Sequence, residues 1–444
     1  MSEQLNAMAT NRTRPDYIPV GHYLDPDFAK LEVERFWPRV WQIAGRAEHL
    51  RKTGDFFVYD IADQSIIVTR VADGRIKAYY NACKHRGRQL VSGRGNAAHF
   101  RCNYHGWTWG LEGEIRKVLN REDWDGCPKM ADADLAMDEV LVDTWAGFVF
   151  VNLDPGAEPL REFLGPVPDM TGWFRWEDLR HKWHRSFPLK CNWKVAIEAF
   201  MESYHVTSTH SQYAKYQDTT GHSRAQGNHG HTGYWGNAPV GIPSPDSNAA
   251  PHADQRVAFI EALEALQVQV DNMAERDVVA ARRVLTETSP ETPMMEVFMK
   301  AESYMRDAAL AEGIDWPSPP PEVEDAYGAF WNISPNVSLV TGTKTGTVMM
   351  RSRPLGTDPN MCLFDVAALH RYPPGGEPAY APVHLDDWRV DRKEIPLILA
   401  QDFAQVELVH AGMKSRKIEF CRMNPHQERQ ITNMHQLIER YVFD

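Results

Sequence analysis

Two short motifs early in the sequence each combine a cysteine with a histidine. They are Cys83-Lys84-His85-Arg86-Gly87 and Cys102-Asn103-Tyr104-His105-Gly106-Trp107. In both, a glycine directly after the histidine lets the backbone turn tightly around a ligand. Two thiolates on one iron and two imidazoles on the other hold a Rieske [2Fe–2S] cluster. Zinc is the alternative for two cysteines and two histidines, but zinc modules usually keep the cysteine pair and the histidine pair apart. We therefore predict that Cys83, His85, Cys102 and His105 ligate a Rieske cluster.

A second constellation lies in the stretch 192–210. As one helix, it would place Glu198, Glu202 and His205 on one face, because they are spaced i, i+4 and i+7. The residues Val206-Thr207-Ser208-Thr209 favour a bend that would bring His210 back toward His205. Two imidazoles and one carboxylate from elsewhere form the facial triad of non-heme Fe(II) oxygenases. The alternative is an amphipathic helix with solvated acids and ordinary hydrogen-bonded histidines.

Composition narrows the class of protein. The 444 residues are 43% hydrophobic, which is enough for a sizeable core and more than one ordinary domain needs. The formal charge of −12 argues against a nucleic-acid partner. The sequence shows no signal-peptide pattern and no long apolar run, so we expect a soluble, cytoplasmic protein without a membrane partner. Six cysteines are too few for a disulfide scaffold of this size.

Hydrophobic periodicity indicates three regions that would position these motifs. An N-terminal arm and a helix occupy residues 1–39, and the helix begins at Asp25-Pro26. Short β runs, with an Asp73-Gly74 hairpin signal, predict an all-β domain over 40–155. Residues 156–444 predict a mixed α/β domain. In this last domain we expect an irregular lid loop at 211–255, with His222, His229 and His231 solvated. Helices are expected at 257–285, 291–312 and 391–410. Strands are expected at 329–340, 346–352 and 361–370.

The two Cys–His motifs, with Asn192-Trp193-Lys194 and Glu202-x2-His205-x4-His210, resemble the α subunits of Rieske non-heme iron oxygenases. The resemblance covers about residues 25–444. It implies an α+β fold, in which an all-β Rieske domain precedes a helix-grip (START-like) mixed α/β catalytic domain. It also implies a mononuclear Fe(II) held by His205, His210 and Asp402, since the family has an aspartate five residues before a glutamate and ten before a glycine. Asp365, Asp386 and Asp387 remain weaker candidates for the third ligand.

The same resemblance assigns roles to two glutamates. Glu202 matches the acid that links a cluster histidine to an iron histidine of the neighbouring subunit. The family more often has aspartate there, and glutamate occurs in a branch that acts on quaternary amines. Glu198 is then a catalytic candidate that supports the ligands or supplies protons. Its alternative role is that of a buried, hydrogen-bonded acid.

The partners expected from this resemblance are a reductase, with or without a ferredoxin, and dioxygen. The chain has no Gly-x-Gly-x2-Gly dinucleotide signature, so NAD(P)H electrons should arrive from that separate reductase. A homotrimer, or an α3β3 assembly with a small β subunit, is expected. A basic rim around the cluster could steer an acidic electron carrier or could stabilise the reduced cluster; it consists of Lys84, Arg86, Arg88, Arg94 and Arg101.

The main functional prediction is hydroxylation of a small apolar substrate, aromatic or otherwise cyclic. It rests on the content of 17 Met and 11% aromatic residues. Four residues are predicted to shape the pocket: Phe200, Met201, Trp331 and Met349. The alternative is a monooxygenase or demethylase that acts on a C–N or C–O bond, including that of a quaternary amine. An electron-transfer protein without oxygenase activity is the third possibility.

Overall fold

The structure is a computed structural model, and it describes residues 9–218, 220–234, 241–324, 330–390 and 394–444. The chain divides into two compact units. One unit is Leu31–Phe163, and the other joins the N-terminal segment up to Lys30 with Leu164–Asp444. Among the described residues, no helix is both long enough and apolar enough to cross a membrane.

The N-terminal segment contains strand β1 (Tyr17–Pro19) and helices α1 (Gly21–Leu24) and α2 (Pro26–Leu31). Oδ1 of Asp25 accepts a hydrogen bond from the amide of Asp27 at 2.8 Å, which caps α2. The helical path continues through a π-helical turn at Glu32–Phe36. The helix predicted to begin at Asp25-Pro26 is therefore confirmed.

The unit Leu31–Phe163 is built on antiparallel strands. Its main sheet has seven strands in the order β2-β11-β10-β5-β4-β3-β6, and β7-β8-β9 form a smaller sheet. The strands are β2 (Gln42–Arg46), β3 (Asp55–Ile61), β4 (Gln64–Arg70), β5 (Ile76–Tyr80), β6 (Arg94–Asn96), β7 (Phe100–Arg101), β8 (Thr108–Trp109), β9 (Ile115–Lys117), β10 (Glu139–Trp145) and β11 (Phe148–Asn152). The short helices α3 (Asp132–Leu135) and α4 (Leu160–Leu164) follow β9 and β11.

The predicted hairpin lies between β4 and β5, where Gly74 adopts φ +87°. A left-handed φ costs glycine little, so the turn can close within the pattern Asp73-Gly74. The core of this unit packs around buried rings of Phe100, Trp107 and Trp109. The two predicted cluster cysteines belong to the same core, so the apolar packing fixes the loops that carry them.

The other unit is organised around an eight-stranded sheet with the order β13-β14-β15-β16-β17-β18-β12-β19. All neighbours are antiparallel except β12 and β19, which run parallel. The strands are β12 (Arg180–Leu189), β13 (Gly221–Gln226), β14 (His229–Tyr234), β15 (Phe330–Ile333), β16 (Val337–Thr341), β17 (Gly346–Leu355), β18 (Asp358–His370) and β19 (Pro382–His384). A further strand, β20 (Phe420–Arg422), pairs with β1. The predicted strands at 346–352 and 361–370 are confirmed. The strand predicted at 329–340 is instead the hairpin of β15 and β16, with a turn at 334–336.

Helices complete this unit. They are α5 (Val167–Thr171), α6 (Trp193–Glu198), α7 (Val206–Thr209), α8 (Ser211–Ala214), α9 (Gln255–Gln269), α10 (Glu275–Ala281), α11 (Val284–Glu287), α12 (Met294–Ala311), α13 (Pro321–Glu324), α14 (Leu397–Met413) and α15 (Arg429–Phe443). Aromatic rings pack between the sheet and α14: the ring centroid of Phe364 in β18 lies 5.2 Å from that of Phe403 in α14. Phe200, just after α6, lies 5.6 Å from the same Phe364 ring. This packing holds α6 and α14 on one face of the sheet.

Three predictions about this unit are wrong. The stretch 192–210 is not one helix but α6, a turn and α7: α6 ends at Glu198, and the residues 206–209 that were expected to bend the chain form α7. The predicted lid loop at 211–255 contains helix α8 and the hairpin β13–β14, which pairs with β15, whereas residues 241–254 are irregular as predicted. Positions 219 and 235–240 lie outside the described residues. The predicted helix 257–285 is three helices, α9 to α11, and the predicted helix 291–312 matches α12.

Candidate iron centres and substrate cavity

The two Cys–His loops have the same backbone geometry. In the first, the amide of Gly87 donates to the carbonyl of Cys83 at 2.8 Å; in the second, Gly106 donates to Cys102 at 2.9 Å. Both glycines have left-handed backbones, with φ of +75° and +74°. A second hydrogen bond is also present in both loops: the backbone amide of each cysteine donates to the carbonyl of the residue five positions later. The predicted ligands therefore sit on two equivalent turns.

The four side chains meet at the tips of these loops. Nδ1 of His85 lies 3.0 Å from Nδ1 of His105, so the two rings present the same nitrogen to one point. Cys83 and Cys102 are buried, with free thiols. Burial raises the pKa of Cys83, whereas at Cys102 backbone amides outweigh burial and lower the pKa. Two thiols with amide donors and two converging imidazoles fit a Rieske cluster.

Burial and the neighbouring His105 lower the pKa of His85, which keeps its imidazole neutral, as a metal ligand requires. The ring also stacks on Trp107 at 5.1 Å. Four arginines of the predicted basic rim are exposed, Arg86, Arg88, Arg94 and Arg101, whereas Lys84 pairs with Asp138 at 2.6 Å. Tyr104, between the ligand positions, is 57% exposed.

In the other unit, His205, His210 and Asp402 offer ligand atoms that all lie within 4.8 Å of one another. Nε2 of His210 is 2.8 Å from Oδ1 of Asp402, and Nε2 of His205 is 3.4 Å from the same oxygen. The two histidines flank α7, so the predicted approach of His210 to His205 is confirmed, although residues 206–209, which were predicted to bend, are helical. Asp402 comes from the predicted C-terminal helix, α14.

The donor atoms of this group fit a metal ion better than they fit each other. Nε2 of His210 and Oδ1 of Asp402 are buried and lack hydrogen-bonding geometry despite their short separation. Burial alone would lower the pKa of His205, but the carboxylates of Glu202 and Asp402 outweigh it and raise that pKa well above 6.5. An excess of buried negative charge favours a cation at this point. Two imidazoles and one carboxylate match the non-heme Fe(II) triad.

Hydrogen bonds at Nδ1, the ring nitrogen that points away from Asp402, orient both imidazoles. Oε1 of Glu202 lies 2.6 Å from Nδ1 of His205. Oε1 of Gln401 lies 2.9 Å from Nδ1 of His210 and accepts from Gln212 at 2.7 Å. With Nδ1 donating, Nε2 of each ring is left to bind a metal. The sequence did not point to Gln401; its only signal is its position directly before Asp402.

Glu198 is not brought to this group. Its carboxylate accepts hydrogen bonds from Tyr23 at 3.1 Å and is 2.7 Å from Nε2 of His435. Burial raises the pKa of Glu198 to about 8. The expectation of one face shared with Glu202 and His205 is wrong, because α6 ends at Glu198. Its environment is that of a buried, hydrogen-bonded acid.

The other candidates for the third ligand lie elsewhere. Asp365 is buried in the sheet and paired with Arg351 and Arg353, each at 3.1 Å. Asp386 is exposed, and Asp387 accepts from Arg389.

The histidines predicted to be solvated are buried: His229 and His231 are each 1% exposed, and His222 is 8% exposed. The hairpin pairing of β13 and β14 explains that burial.

A cavity of about 210 Å³ opens beside the triad. Its lining is mainly apolar and includes Glu202, the triad, and side chains from β15 to β17 and α14. Of the four predicted pocket residues, only Phe200 lines it. Phe330 and Met350 line it in place of their neighbours Trp331 and Met349, because successive strand residues point to opposite faces. Both faces of the sheet are buried here, so the apolar sequence of these strands did not show which face lines the cavity.

Comparisons with known proteins agree with this geometry. The family described as ring hydroxylating alpha subunit (catalytic domain) matches residues 176–443, and the Rieske [2Fe-2S] domain family matches residues 40–127. Choline monooxygenase of Beta vulgaris is 30% identical over 203 residues, 44% of this chain and 45% of the relative. Benzene 1,2-dioxygenase subunit alpha of Pseudomonas putida is 30% identical over 198 residues, 42% of each. The carnitine monooxygenase oxygenase subunit of Escherichia coli is 29% identical over 209 residues, 44% of this chain and 53% of the relative.

These matches span about half the length of the curated relatives. Solved structures resemble the chain over nearly its whole length. The quaternary ammonium Rieske monooxygenase CntA, in complex with gamma-butyrobetaine, has a TM-score of 0.65 at 17% identity and covers 99% of both chains. Naphthalene 1,2-dioxygenase from Rhodococcus sp., bound to indole, has a TM-score of 0.61 at 20% identity, covering 96% of this chain and 93% of that one. At these identities the likeness concerns the fold, and it confirms the predicted fold class.

Proposed function

The chain belongs to the ring hydroxylating alpha subunit family, and we propose from this that it is the terminal oxygenase of a Rieske monooxygenase acting on a small amine, including quaternary amines. In the balanced reaction, one C–H bond, dioxygen, two electrons and two protons give one C–OH group and water. NAD(P)H would supply the electrons through a separate reductase. The observation that carries the proposal is the convergence of His205, His210 and Asp402 at the wall of an apolar cavity.

The residues have distinct roles in this proposal. Cys83, His85, Cys102 and His105 hold the Rieske cluster, and the His205, His210 and Asp402 side chains hold the mononuclear iron. When bound, these two centres supply electron transfer and dioxygen activation. Glu202 and Gln401 fix the imidazoles through Nδ1. The apolar wall keeps water away from the reacting carbon and holds the substrate against the triad.

Charge in the cavity supports a cationic or neutral substrate. Among the described lining residues, none is lysine or arginine, whereas Glu202 and Asp402 are acids. Aromatic rings of Phe200, Phe330 and Tyr213 face the same space, and such rings attract an alkylammonium group. A carboxylate on the substrate would find no lysine or arginine among these residues. A choline-like amine therefore suits the cavity better than a carnitine-like amino acid.

Cavity size supports a small substrate. About 210 Å³ is less than the about 300–1,000 Å³ of typical ligand pockets. The glutamate at position 202 adds independent support, because the resemblance associates glutamate there with enzymes of quaternary amines. Two of the three relatives named above are choline and carnitine monooxygenases.

A second candidate is hydroxylation of a small aromatic ring, the main expectation from the sequence. The apolar lining favours it, as does the similarity to a benzene dioxygenase subunit. In that reaction a ring, dioxygen, two electrons and two protons would give a cis-dihydrodiol. The two candidates differ in their products, so one assay separates them.

The test is a reconstituted assay with the iron-loaded protein, a Rieske-oxygenase reductase, NADH and one of three substrates: choline, L-carnitine or benzene. We expect choline-dependent oxygen uptake matched by product, with at least tenfold lower turnover of L-carnitine. Formation of a cis-dihydrodiol from benzene without turnover of choline would contradict the amine proposal and support the second candidate. Asp402→Ala serves as the control for oxygen uptake that does not depend on the iron site.

We also propose the assembly expected from the resemblance, which is a trimer that receives electrons from a reductase or ferredoxin. The exposed arginines of the basic rim would attract an acidic carrier. Light scattering of the purified chain measures the trimer directly. Reduction of the cluster by an acidic ferredoxin should slow at high ionic strength, because screening weakens this attraction.

A further inference from the structure

Glu202 lies in a segment without helix or strand, between α6 and α7. Both of its neighbours are buried, since Met201 is 0% exposed and Ser203 is 1% exposed. Outside helices and strands, a buried backbone carbonyl needs a donor from another part of the chain or from water. The place of Glu202, and therefore its contact with His205, depends on where these donors come from.

Two side chains donate to the carbonyl directly before Glu202. Oγ1 of Thr232, in strand β14, donates to the Met201 carbonyl at 3.0 Å. Nε2 of Gln430, in helix α15, donates to the same carbonyl and also to Oγ1 of Thr232, the latter at 2.6 Å. The three groups therefore form a closed set of hydrogen bonds that ties this segment to the hairpin β13–β14 and to the last helix.

A glycine makes room for this contact. A Cβ at Gly230 would lie 2.4 Å from Cβ of Gln430 and 3.0 Å from its Oε1. Gly230 and Thr232 are two residues apart in β14, so they face the same side of the strand. The backbone amide of Gln430 also donates to Oγ of Ser223, in β13, at 2.9 Å. The hairpin therefore holds Gln430 close enough to reach the Met201 carbonyl.

Gln430 also carries a group that works against the stability of the fold. Its Oε1 is buried and has no hydrogen-bond partner among the described residues. An unpaired buried acceptor is destabilising, and a methionine of similar length would avoid it. The Met201 carbonyl would still have Thr232 as a donor. The amide at position 430 is therefore explained by what its Nε2 holds in place and not by stability.

We propose that Gln430 and Thr232 are positioning residues for Glu202. By holding the Met201 carbonyl, they keep the Glu202 carboxylate 2.6 Å from Nδ1 of His205. A hydrogen bond of this length weakens quickly when its acceptor moves, and the imidazole is then less firmly oriented for a metal ion. The inference goes beyond the proposed function, because it concerns the iron site and no particular substrate.

The test is an EDTA titration of the iron-loaded protein, read as mononuclear iron content. Gln430→Met and Thr232→Val nearly keep the side-chain size but remove the donor, so we expect both to lose the iron at an about tenfold lower EDTA concentration than wild type. Gly230→Ala should act in the same way, because it displaces Gln430. Thr232→Ser keeps the hydroxyl and should retain iron as wild type does.

A matched control separates this effect from general stability. Thr171 in α5 is buried, and its hydroxyl donates to the Val167 carbonyl at 2.7 Å. Thr171→Val therefore removes the same kind of hydrogen bond as Thr232→Val. It should retain iron at wild-type EDTA concentrations, even where its urea midpoint falls as far as that of Thr232→Val.

A double variant tests whether the effect passes through Glu202. Glu202→Gln should itself lower the EDTA concentration at which the iron is lost. Adding Gln430→Met to that variant should change the concentration by less than about twofold, because both substitutions act on the same contact. A further tenfold decrease in the double variant would overturn the inference.

The remaining outcomes are also decisive. Wild-type iron retention in folded Gln430→Met and Thr232→Val overturns the inference, and so does an equal loss of iron in Thr171→Val. If Thr232→Val does not fold, Gln430→Met decides, because it breaks the same set of hydrogen bonds from a different element. The titration uses no substrate, so turnover of benzene without choline would contradict the amine proposal and leave this result unchanged. Absence of the mononuclear iron from wild type would contradict the iron site and this inference together.

Discussion

Oε1 of Glu202 lies 2.6 Å from Nδ1 of His205, and Oε2 of the same carboxylate accepts from the His205 backbone amide at 3.1 Å. Glu202 therefore contacts one residue through both oxygens. The imidazole is held with Nδ1 toward the carboxylate and Nε2 toward Asp402. Such outer contacts fix the tautomer of a metal-binding histidine and raise its basicity.

We predict that Glu202→Gln lowers substrate-dependent oxygen uptake by about 10- to 100-fold, as changes to groups behind metal ligands commonly do. Glutamine keeps the shape of the Glu202 side chain but lacks the negative charge that stabilises the N–H group at Nδ1 of His205. Glu202→Asp should lie between wild type and Glu202→Gln, because the carboxylate becomes one methylene shorter. Steady-state oxygen uptake measures the effect, with the exposed Glu177→Gln as a control. Equal rates in Glu202→Gln and wild type would contradict this role.

Gln401 should matter for the affinity of the triad for iron. Gln401→Leu removes the acceptor that faces Nδ1 of His210, so we expect iron to be lost at an about 10- to 100-fold lower chelator concentration. Gln401→Glu keeps an acceptor and should retain iron. Chelator titration, read as mononuclear iron content, needs no substrate. Retention of iron by Gln401→Leu at wild-type chelator concentrations would show that this hydrogen bond does not orient His210.

The left-handed backbone of Gly87 gives a test of the cluster loop. Nothing lies within 4 Å of a Cβ at this position, so Gly87→Ala tests the backbone conformation without a clash. At φ +75°, alanine should cost about 1–2 kcal/mol and lower the fraction of chains with a cluster. Visible absorption of the purified protein measures that fraction. Gly172→Ala is the matched control, since Gly172 also has no neighbour within 4 Å but has φ −57°; equal cluster content in the two variants would refute the prediction.

Glu198 should make stability depend on pH. Its folded-state pKa of about 8 exceeds the ordinary 4.5, so between these values the folded chain holds a proton that the unfolded chain has lost. The free energy of unfolding should therefore fall as pH rises from about 4.5 to about 8, by at most about 1.4 kcal/mol per pH unit from this group. Glu198→Gln cannot ionise and should remove this contribution. Urea midpoints at pH 5 to 8 measure it; parallel curves for wild type and variant would contradict the prediction.

The sequence predicted the local features of the sites well. Each Cys–His loop is defined by about five consecutive residues, and its glycine alone specifies the turn. The approach of His205 and His210 was also predicted, but the residues between them form the short helix α7 instead of a bend. Asp402 is different, because it lies on a helix far along the chain. Only the resemblance to a known family selected it over Asp365, which the structure pairs with two arginines.

The remaining features depend on contacts that a single sequence does not contain. Glu198 is bound by Tyr23 and His435, from opposite ends of the chain, and nothing near Glu198 signals them. The cavity uses Phe330 and Met350 instead of their neighbours, because both faces of the sheet are buried and the apolar run conceals its alternation.

The central claim is that the chain carries a cluster and a separate iron held by His205, His210 and Asp402. The most direct measurement is the metal content, with EPR spectra of the dithionite-reduced protein, for wild type, Asp402→Ala and the control Asp386→Ala. Wild type and the control should contain about three irons per chain, and Asp402→Ala about two, all with the same Rieske-type signal. Zinc in place of iron, or two irons in wild type and no loss in Asp402→Ala, would contradict the account.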